Sequence, residues 1–472
     1  MLDQLDRQQR LTTNQIKIIS AAIIGDMLEF FDYFLIGFVL AFIVGPWKLT
    51  FGESTIILLT SGIGAILGAF FFGWLADKWG RRPIFMVTVL TFSLGSAFMA
   101  VTPEGNWVWL AFFRFAVGFG VGGLYSVDLP LVQEFVPTKY RGVVGGLVTV
   151  FIPLGTLLGS SLAAFLAPLI GWRGLFWIGV LPALLTLLIR IWVPESPRWL
   201  VRQGRPEDAR RSIAWALMVD PKEIKLPEGF ASQTQKASWG ELFSYKRSWA
   251  VSWLTNIGMQ SAVYGITLWG ATLLAMLLNV PASTAAFYFI FVTLGGLAGR
   301  ISWSFLSEKI GRKASGTLIG FGAAIGLLLA GFLHNEFIGG VSLFWILMIA
   351  TFFFADGGFA IVGPYSAEVW PALLRTSGMG SAYGIGGIGK IIGPMGLALV
   401  VGASNLVTPA ATESAIIPAY IYLACFALLA GFSYLLIGFE TKGKTLEEVE
   451  QYLAKSAGKE YKPTPGYDVA GH

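Results

Sequence analysis

One cysteine, Cys425, and two histidines, His334 and His472, are all that this 472-residue chain offers of either type. A lone cysteine excludes an intramolecular disulfide, and two distant histidines make no metal site. Charge is also scarce. Asp, Glu, Lys and Arg make up 13% of the residues, against about 25% in ordinary soluble domains. There is no Ser/His/Asp set, no glycine-rich phosphate loop at a strand–helix junction and no metal-ligand cluster, so neither an enzyme nor a cofactor is expected.

What the chain does have is length of apolar sequence. Hydrophobic residues reach 55% and the mean hydropathy is +0.68, too much to hide inside a water-soluble core. A helical membrane span needs about 20 mostly apolar residues. Twelve such runs are read, near 16–44, 54–76, 84–102, 107–133, 143–169, 174–193, 248–279, 284–306, 315–333, 341–366, 376–403 and 415–438. Asp3, Asp6, Arg7 and Arg10 precede a first run that is too long for a cleavable signal peptide. The loops after spans 2, 4, 8 and 10 carry Lys78, Arg81, Arg82, Lys139, Arg141, Lys309, Arg312, Lys313 and Arg375. That bias places both termini in the cytoplasm of a multi-pass protein of the plasma (inner) membrane. The net charge of +5 is thus a topology signal, and no nucleic-acid partner is read from it. The expected organisation is an N-terminal bundle (1–193), a cytoplasmic loop (194–247), a C-terminal bundle (248–438) and a cytoplasmic tail (439–472).

Two charged patterns occur twice. Gly73-Trp-Leu-Ala-Asp77-Lys78-Trp-Gly80-Arg81-Arg82 is echoed by Ser304-Phe-Leu-Ser-Glu308-Lys309-Ile-Gly311-Arg312-Lys313, with Asp77 and Glu308 231 positions apart. Glu134-Phe-Val-Pro137-Thr-Lys-Tyr-Arg141 is echoed by Glu368-Val-Trp-Pro371-Ala-Leu-Leu-Arg375, 234 positions later. Parallel duplication of this kind is one of the internal symmetries of transporter folds.

The Gly73–Arg82 loop resembles the signature of the major facilitator superfamily, and the resemblance extends over essentially the whole chain. It implies an all-α membrane protein with 12 transmembrane helices in two pseudo-symmetric six-helix bundles. Its site would lie at the midplane between them, reached by alternating access. Pro194-Glu195-Ser196-Pro197-Arg198-Trp199-Leu200 looks like the motif of sugar-porter-like and organic-ion branches. Glu440-Thr441-Lys442-Gly443-Lys444 is its C-terminal counterpart, with Phe439 where those branches have proline. Gly25-x3-Glu29-x2-Asp32-x4-Gly37 is similar to the metabolite:proton symporters, which carry citrate, 2-oxoglutarate, shikimate or betaine-type solutes. Thr149 and Thr156 stand where sugar porters carry two glutamines, which argues against a hexose.

Eight charged residues fall inside the apolar runs: Asp26, Glu29, Asp32, Arg114, Asp128, Arg300, Asp356 and Lys390. Each costs roughly 3 kcal/mol near the bilayer centre, so each needs a partner or water. In the families resembled, an acid at Asp32 lies near the arginine at Arg114, and proton binding switches the pair; a static ion pair is the other reading. Glu29 is a second proton candidate, and Asp26 fits the wet end of the span. Asp128 lies 14 residues beyond Arg114 on the same helix face, either lining a cavity or solvated at a helix end. Asp356, among glycines, is a candidate for substrate or proton contact.

Lys390, in a Gly-rich stretch with Pro394, is the candidate for an anionic substrate, and Tyr383 shares its face. Snorkelling, or pairing with Asp356 or Asp128, is the alternative. Trp253, Asn256, Gln260, Tyr264 and Thr267 form one polar-aromatic stripe, with Gln260 and Tyr264 as ligands or as interhelical hydrogen-bonders. Asp77, Arg81, Glu134, Arg141, Glu308, Arg312, Glu368 and Arg375 belong, by the resemblance, to a network that locks the cytoplasmic gate. The resulting expectation is a monomeric symporter moving a small organic acid or zwitterion with protons across a lipid bilayer. A sugar or polyol porter and an organic-cation exporter stay open beside it.

Overall fold

A computed structural model describes residues 5, 8–184, 189, 192–224, 239–371, 374–444, 446–456 and 458. Within these, the side chains of 125, 126, 128–130, 133, 138–151, 202, 239, 376, 446 and 447 are not described.

The described chain is almost entirely helical. Its first half folds into α1 (Thr13–Ile43), α2 (Phe51–Trp79), α3 (Arg81–Ala100), α4 (Trp107–Phe135), α5 (Thr138–Phe165) and α6 (Ala167–Ile178). The polar helix α7 (Pro206–Leu217) leads to the second half, which begins with α8 (Lys246–Leu278), α9 (Ala282–Ile310) and α10 (Arg312–Phe332). A two-residue hairpin, β1 (Phe337–Ile338) and β2 (Val341–Ser342), precedes α11 (Leu343–Ala355) and α12 (Phe359–Glu368). The chain continues with α13 (Arg375–Gly386), α14 (Gly389–Val401), α15 (Pro409–Phe432) and the amphipathic α16 (Leu446–Ser456).

Among the described residues, ten stretches are long and apolar enough to cross a membrane, and α5 adds the shorter Ile152–Phe165. α1 has the length, but the three acids Asp26, Glu29 and Asp32 interrupt its apolar character.

Local chemistry fixes the helix starts. Thr12 and Gln15 close a capping box on α1, and Thr50 and Glu53 close one on α2, each satisfying amides that a helix N-terminus leaves open. Breaks interrupt several of the spans. Gly171 (φ +73°) divides α6, a 3-10 turn at Asp356–Gly358 separates α11 from α12, and a π turn at Ser433–Ile437 ends α15.

The chain divides into two compact units. The first comprises Met1–Ser232, Thr267–Ile290 and Gly402–Ala411. In it, segment 402–407 lies antiparallel to residues 49–52: Val407 N–H donates to Leu49 O (3.0 Å), Phe51 N–H to Asn405 O (2.9 Å) and Gly52 N–H to Ala403 O (2.9 Å). Rings pack beside this zip, Phe51 on Trp269 (5.8 Å) and Phe38 on Phe289 (5.4 Å).

The second unit comprises Gln233–Ile266, Phe291–Val401 and Thr412–His472. Its core includes Met259, Trp303, Tyr365, Trp370, Tyr434, Phe439 and Leu453. Arg247 holds the tail there. It donates to Ile437 O (2.6 Å), Gly438 O (3.1 Å) and the Tyr452 hydroxyl, and its guanidinium lies 5.5 Å from the Phe439 ring.

Candidate functional site

The first unit contains an acid centre. Asp26, Glu29 and Asp32 are all buried on α1, and Arg114 of α4 is fully buried against Asp32 and Tyr33. Arg114 reaches Asp32 through the backbone: Nη1 donates to Asp32 O (3.0 Å) and Nη2 to Tyr33 O, with the guanidinium 5.1 Å from the Tyr33 ring centroid. The Asp32 carboxylate has a different partner. Its Oδ1 accepts from Ser96 Oγ of α3 at 2.8 Å, while Oδ2 is buried without a hydrogen bond among the described residues.

The second unit contains a polar-aromatic centre. Gln260 and Tyr264 are buried on α8. Lys390 of α14 places Nζ 5.2 Å from the Tyr264 ring centroid, within reach of a cation–π interaction. Gln260 Nε2 donates to Asn256 Oδ1 (3.4 Å), and Asn256 Nδ2 donates to Ser366 Oγ (2.8 Å). Trp253 Nε1 donates to Ser381 Oγ at 3.0 Å. The approach of α14 to α8 needs glycine: a Cβ on Gly393 would lie 2.3 Å from Ser261 O. Tyr383 lies toward α12, its hydroxyl 3.2 Å from where a Cβ on Gly363 would sit.

Asp356 is tied elsewhere in this unit. Arg300 grips it with two bonds, Nε to Oδ2 (2.8 Å) and Nη2 to Oδ1 (2.7 Å), and stacks 5.0 Å from the Phe359 ring centroid. Both side chains are more than 90% buried. Asp356 therefore partners Arg300, a pairing that 56 residues of separation on different helices did not suggest.

The duplicated loop motifs build the same latch once in each unit. Arg81 meets Asp77 (3.7 Å) and Glu134 (3.1 Å); Arg312 meets Glu308 (2.6 Å) and Glu368 (3.5 Å). Two further glutamates complete them. Glu195 accepts from the amides of Arg81 (3.0 Å) and Arg82 (3.4 Å), as Glu440 does from Arg312 (2.8 Å) and Lys313 (3.1 Å). Each caps a helix whose preceding glycine has positive φ, Gly80 at +105° and Gly311 at +98°. A neighbouring hydroxyl ties each cap to the arginine's second acid: Ser196 donates to Glu134, and Thr441 to Glu368 (2.5 Å). Burial pushes the Glu195 carboxyl up from its ordinary range, against the N–H donors of Ser196, Arg82 and Arg81 and the charge of Arg82.

Asp128 and Arg141 lie outside the described side chains. Arg375 begins α13, with Nε and Nη2 buried and without a hydrogen-bond partner among the described residues. Sequence reasoning missed Ser96, and it quoted Glu195, Ser196, Glu440 and Thr441 only as parts of motifs.

Comparison with known proteins gives this geometry its context. The fold matches the xylose transporter XylE from E. coli in its inward open conformation, with a TM-score of 0.70, 21% identity, and coverage of 93% of this chain and 99% of that one. It also matches a bacterial homologue of the human lysosomal transporter Spinster, with a TM-score of 0.70, 17% identity, and coverage of 90% and 97%. The architecture is the major facilitator fold, with 12 transmembrane helices in two pseudo-symmetric bundles, and the protein is a multi-pass membrane transporter rather than an enzyme. The model of the "Sugar (and other) transporter" family matches residues 17–453, and the chain belongs to that family. It is similar to the niacin transporter NiaP of Acinetobacter baylyi, with 32% identity over 434 residues, covering 90% of this chain and 94% of the relative. It is also similar to the cis,cis-muconate transport protein of the same species, with 25% identity over 359 residues, covering 75% and 80%.

Proposed function

We propose that this transporter is a proton-coupled symporter that takes up a small organic acid, with a conjugated or aromatic carboxylate as the preferred class. The observation that carries this reading is Lys390 poised over Tyr264 beside Gln260. A cation answers a carboxylate, an aromatic ring answers a flat conjugated body, and an amide orients it. Relatives named for niacin and muconate transport support the same class. Tyr383 is proposed as a further contact, and Asp32, with Arg114 and Glu29, as the proton-coupling group.

The loop latches are proposed to hold the cytoplasmic gate, with Asp77, Arg81, Glu134 and Arg141 in one half and Glu308, Arg312, Glu368 and Arg375 in the other. Both termini lie in the cytoplasm, the working unit is a monomer, and the bundles run over 1–193 and 248–438. Asp356, held by Arg300, is assigned a structural part in the second bundle.

The test is uptake into proteoliposomes of nicotinate, muconate, xylose and a quaternary ammonium ion, by wild type and Lys390→Ala. The expected result is carboxylate uptake whose KM rises about tenfold or more in Lys390→Ala, the loss of one charge-assisted contact. Xylose uptake indifferent to Lys390→Ala would overturn the proposal in favour of a sugar porter.

A further inference from the structure

The acid centre has a neutral member. Ser96 is fully buried on α3, and its hydroxyl faces two acceptors: Asp32 Oδ1 at 2.8 Å and Phe176 O at 3.2 Å. A serine hydroxyl carries one proton, so it serves one of them well at a time. The second acceptor exists because α6 is breaking. A regular helix would direct Val180 N–H to Phe176 O, but it turns to Trp177 O (3.2 Å), leaving the Phe176 carbonyl to Ser96. Gly179 supplies the space. A Cβ there would lie 2.3 Å from Ser96 Oγ and 2.7 Å from Asp32 Oδ1.

We propose that Ser96 is a positioning residue of the proton switch: its hydroxyl donates to the Asp32 carboxylate when that group is ionised and turns to the Phe176 carbonyl when it is protonated. The inference rests on the reading of Asp32 as the coupling acid. While Asp32 is an anion it can only accept, and the bond from Ser96 is charge-assisted. A proton on Oδ1 makes Asp32 a donor. Ser96 Oγ then accepts from it and swings its own hydrogen to Phe176 O. Asp32 gains one proton, Ser96 keeps its own, and no covalent bond other than the new O–H changes. The direction of a two-bond chain reverses, and the break in α6 thereby reads the charge state of α1.

Other groups also lie near Asp32. Arg114 from α4 is held on the Asp32 and Tyr33 carbonyls, the Tyr33 ring lies against its guanidinium, and Glu29 and Asp26 lie one and two turns earlier on α1. The described part of α5, residues 152–165, contains no titratable side chain. From α3 and the end of α6 the contacts are Ser96, Phe176 O and Gly179. Among the described side chains, Ser96 thus supplies a rotatable hydrogen bonded to that carboxylate.

The experiment is infrared difference spectroscopy of the full-length protein in lipid as the pH is lowered, following carboxylic C=O bands. Asp32→Asn assigns the Asp32 band by removing it. Ser96→Ala is expected to move that band to higher wavenumber, Ser96→Cys (a weaker donor of similar shape) to move it less, and Ser96→Thr to return it. Gly179→Ala, which fills the space for rotation, is expected to displace it as well. A band removed by Asp32→Asn but identical in Ser96→Ala and Ser96→Cys overturns the role of Ser96 and leaves Asp32 as the coupling acid. No band removed by Asp32→Asn overturns the reading of Asp32 itself, and the switch with it.

Discussion

Tyr365 and Phe439 exchange two hydrogen bonds: the phenol donates to the Phe439 carbonyl at 2.8 Å and accepts from the Phe439 N–H at 2.9 Å. Proline, which the resembled tail motif carries at the place of Phe439, could not make the second bond, because it has no N–H. Phe439→Pro should therefore destabilise the protein by about 1–3 kcal/mol, the cost of a buried phenol losing a partner. It also removes the ring packed, tilted, 4.9 Å from Tyr452. Thermal unfolding in detergent, combined with Tyr365→Phe in a double-mutant cycle, measures the coupling. Strictly additive losses would contradict it.

The two latches predict paired behaviour. Glu195→Gln and Glu440→Gln each weaken a cap on two amides, so both should lower the melting temperature in the same direction. For Glu195 the pH dependence has a definite sign. Its carboxyl titrates above the ordinary value of 4.5 because burial disfavours the anion. Between that value and the raised one, the folded state binds more protons than the unfolded chain, so its contribution falls as pH rises through the window. Glu195→Gln should flatten this part of the stability–pH curve. An unchanged slope would argue that Glu195 is solvated.

Arg300 and Asp356 predict an asymmetry. Asp356→Asn leaves a buried guanidinium uncompensated and should cost about 3–5 kcal/mol, whereas Arg300→Met with Asp356→Leu should cost much less. Chemical denaturation of the three proteins checks it. A single variant as stable as wild type would show that Asp356 is free for another task.

Segment 402–407 predicts a cross-link. Thr50 and Leu406 are bridge partners, and facing positions on paired strands lie within about 5.5 Å. Cysteines at both positions, with the exposed Cys425 replaced by serine, should form a disulfide that stops transport until it is reduced. Full transport by the cross-linked protein would show that this zip does not open in the cycle.

The parts of this fold that were legible in the sequence are those written in contrasts. Apolar runs between charges give the spans, and charged motifs repeated at nearly one offset give the duplication and the arginine–acid members of both latches. The caps Glu195 and Glu440 were less visible, because what they bind is backbone, which leaves no mark in side-chain pattern. Ser96 was invisible for a related reason: a serine in an apolar helix commonly bonds back to its own turn, and only the break at Gly179 gives it another role. Arg114 was found as a charge, but its acceptors are carbonyls of residues 32 and 33. Spacing along separate helices could not pair Arg300 with Asp356, since helix packing decides which buried charges meet.

The most direct test of the central claim is nicotinate-induced proton movement in lightly buffered proteoliposomes under an imposed membrane potential. The account predicts inward proton flow with nicotinate in wild type and none in Asp32→Asn, with nicotinate counterflow retained in that variant because exchange needs no net proton transfer. Nicotinate accumulation with no proton movement, or proton flow undiminished in Asp32→Asn, would contradict it.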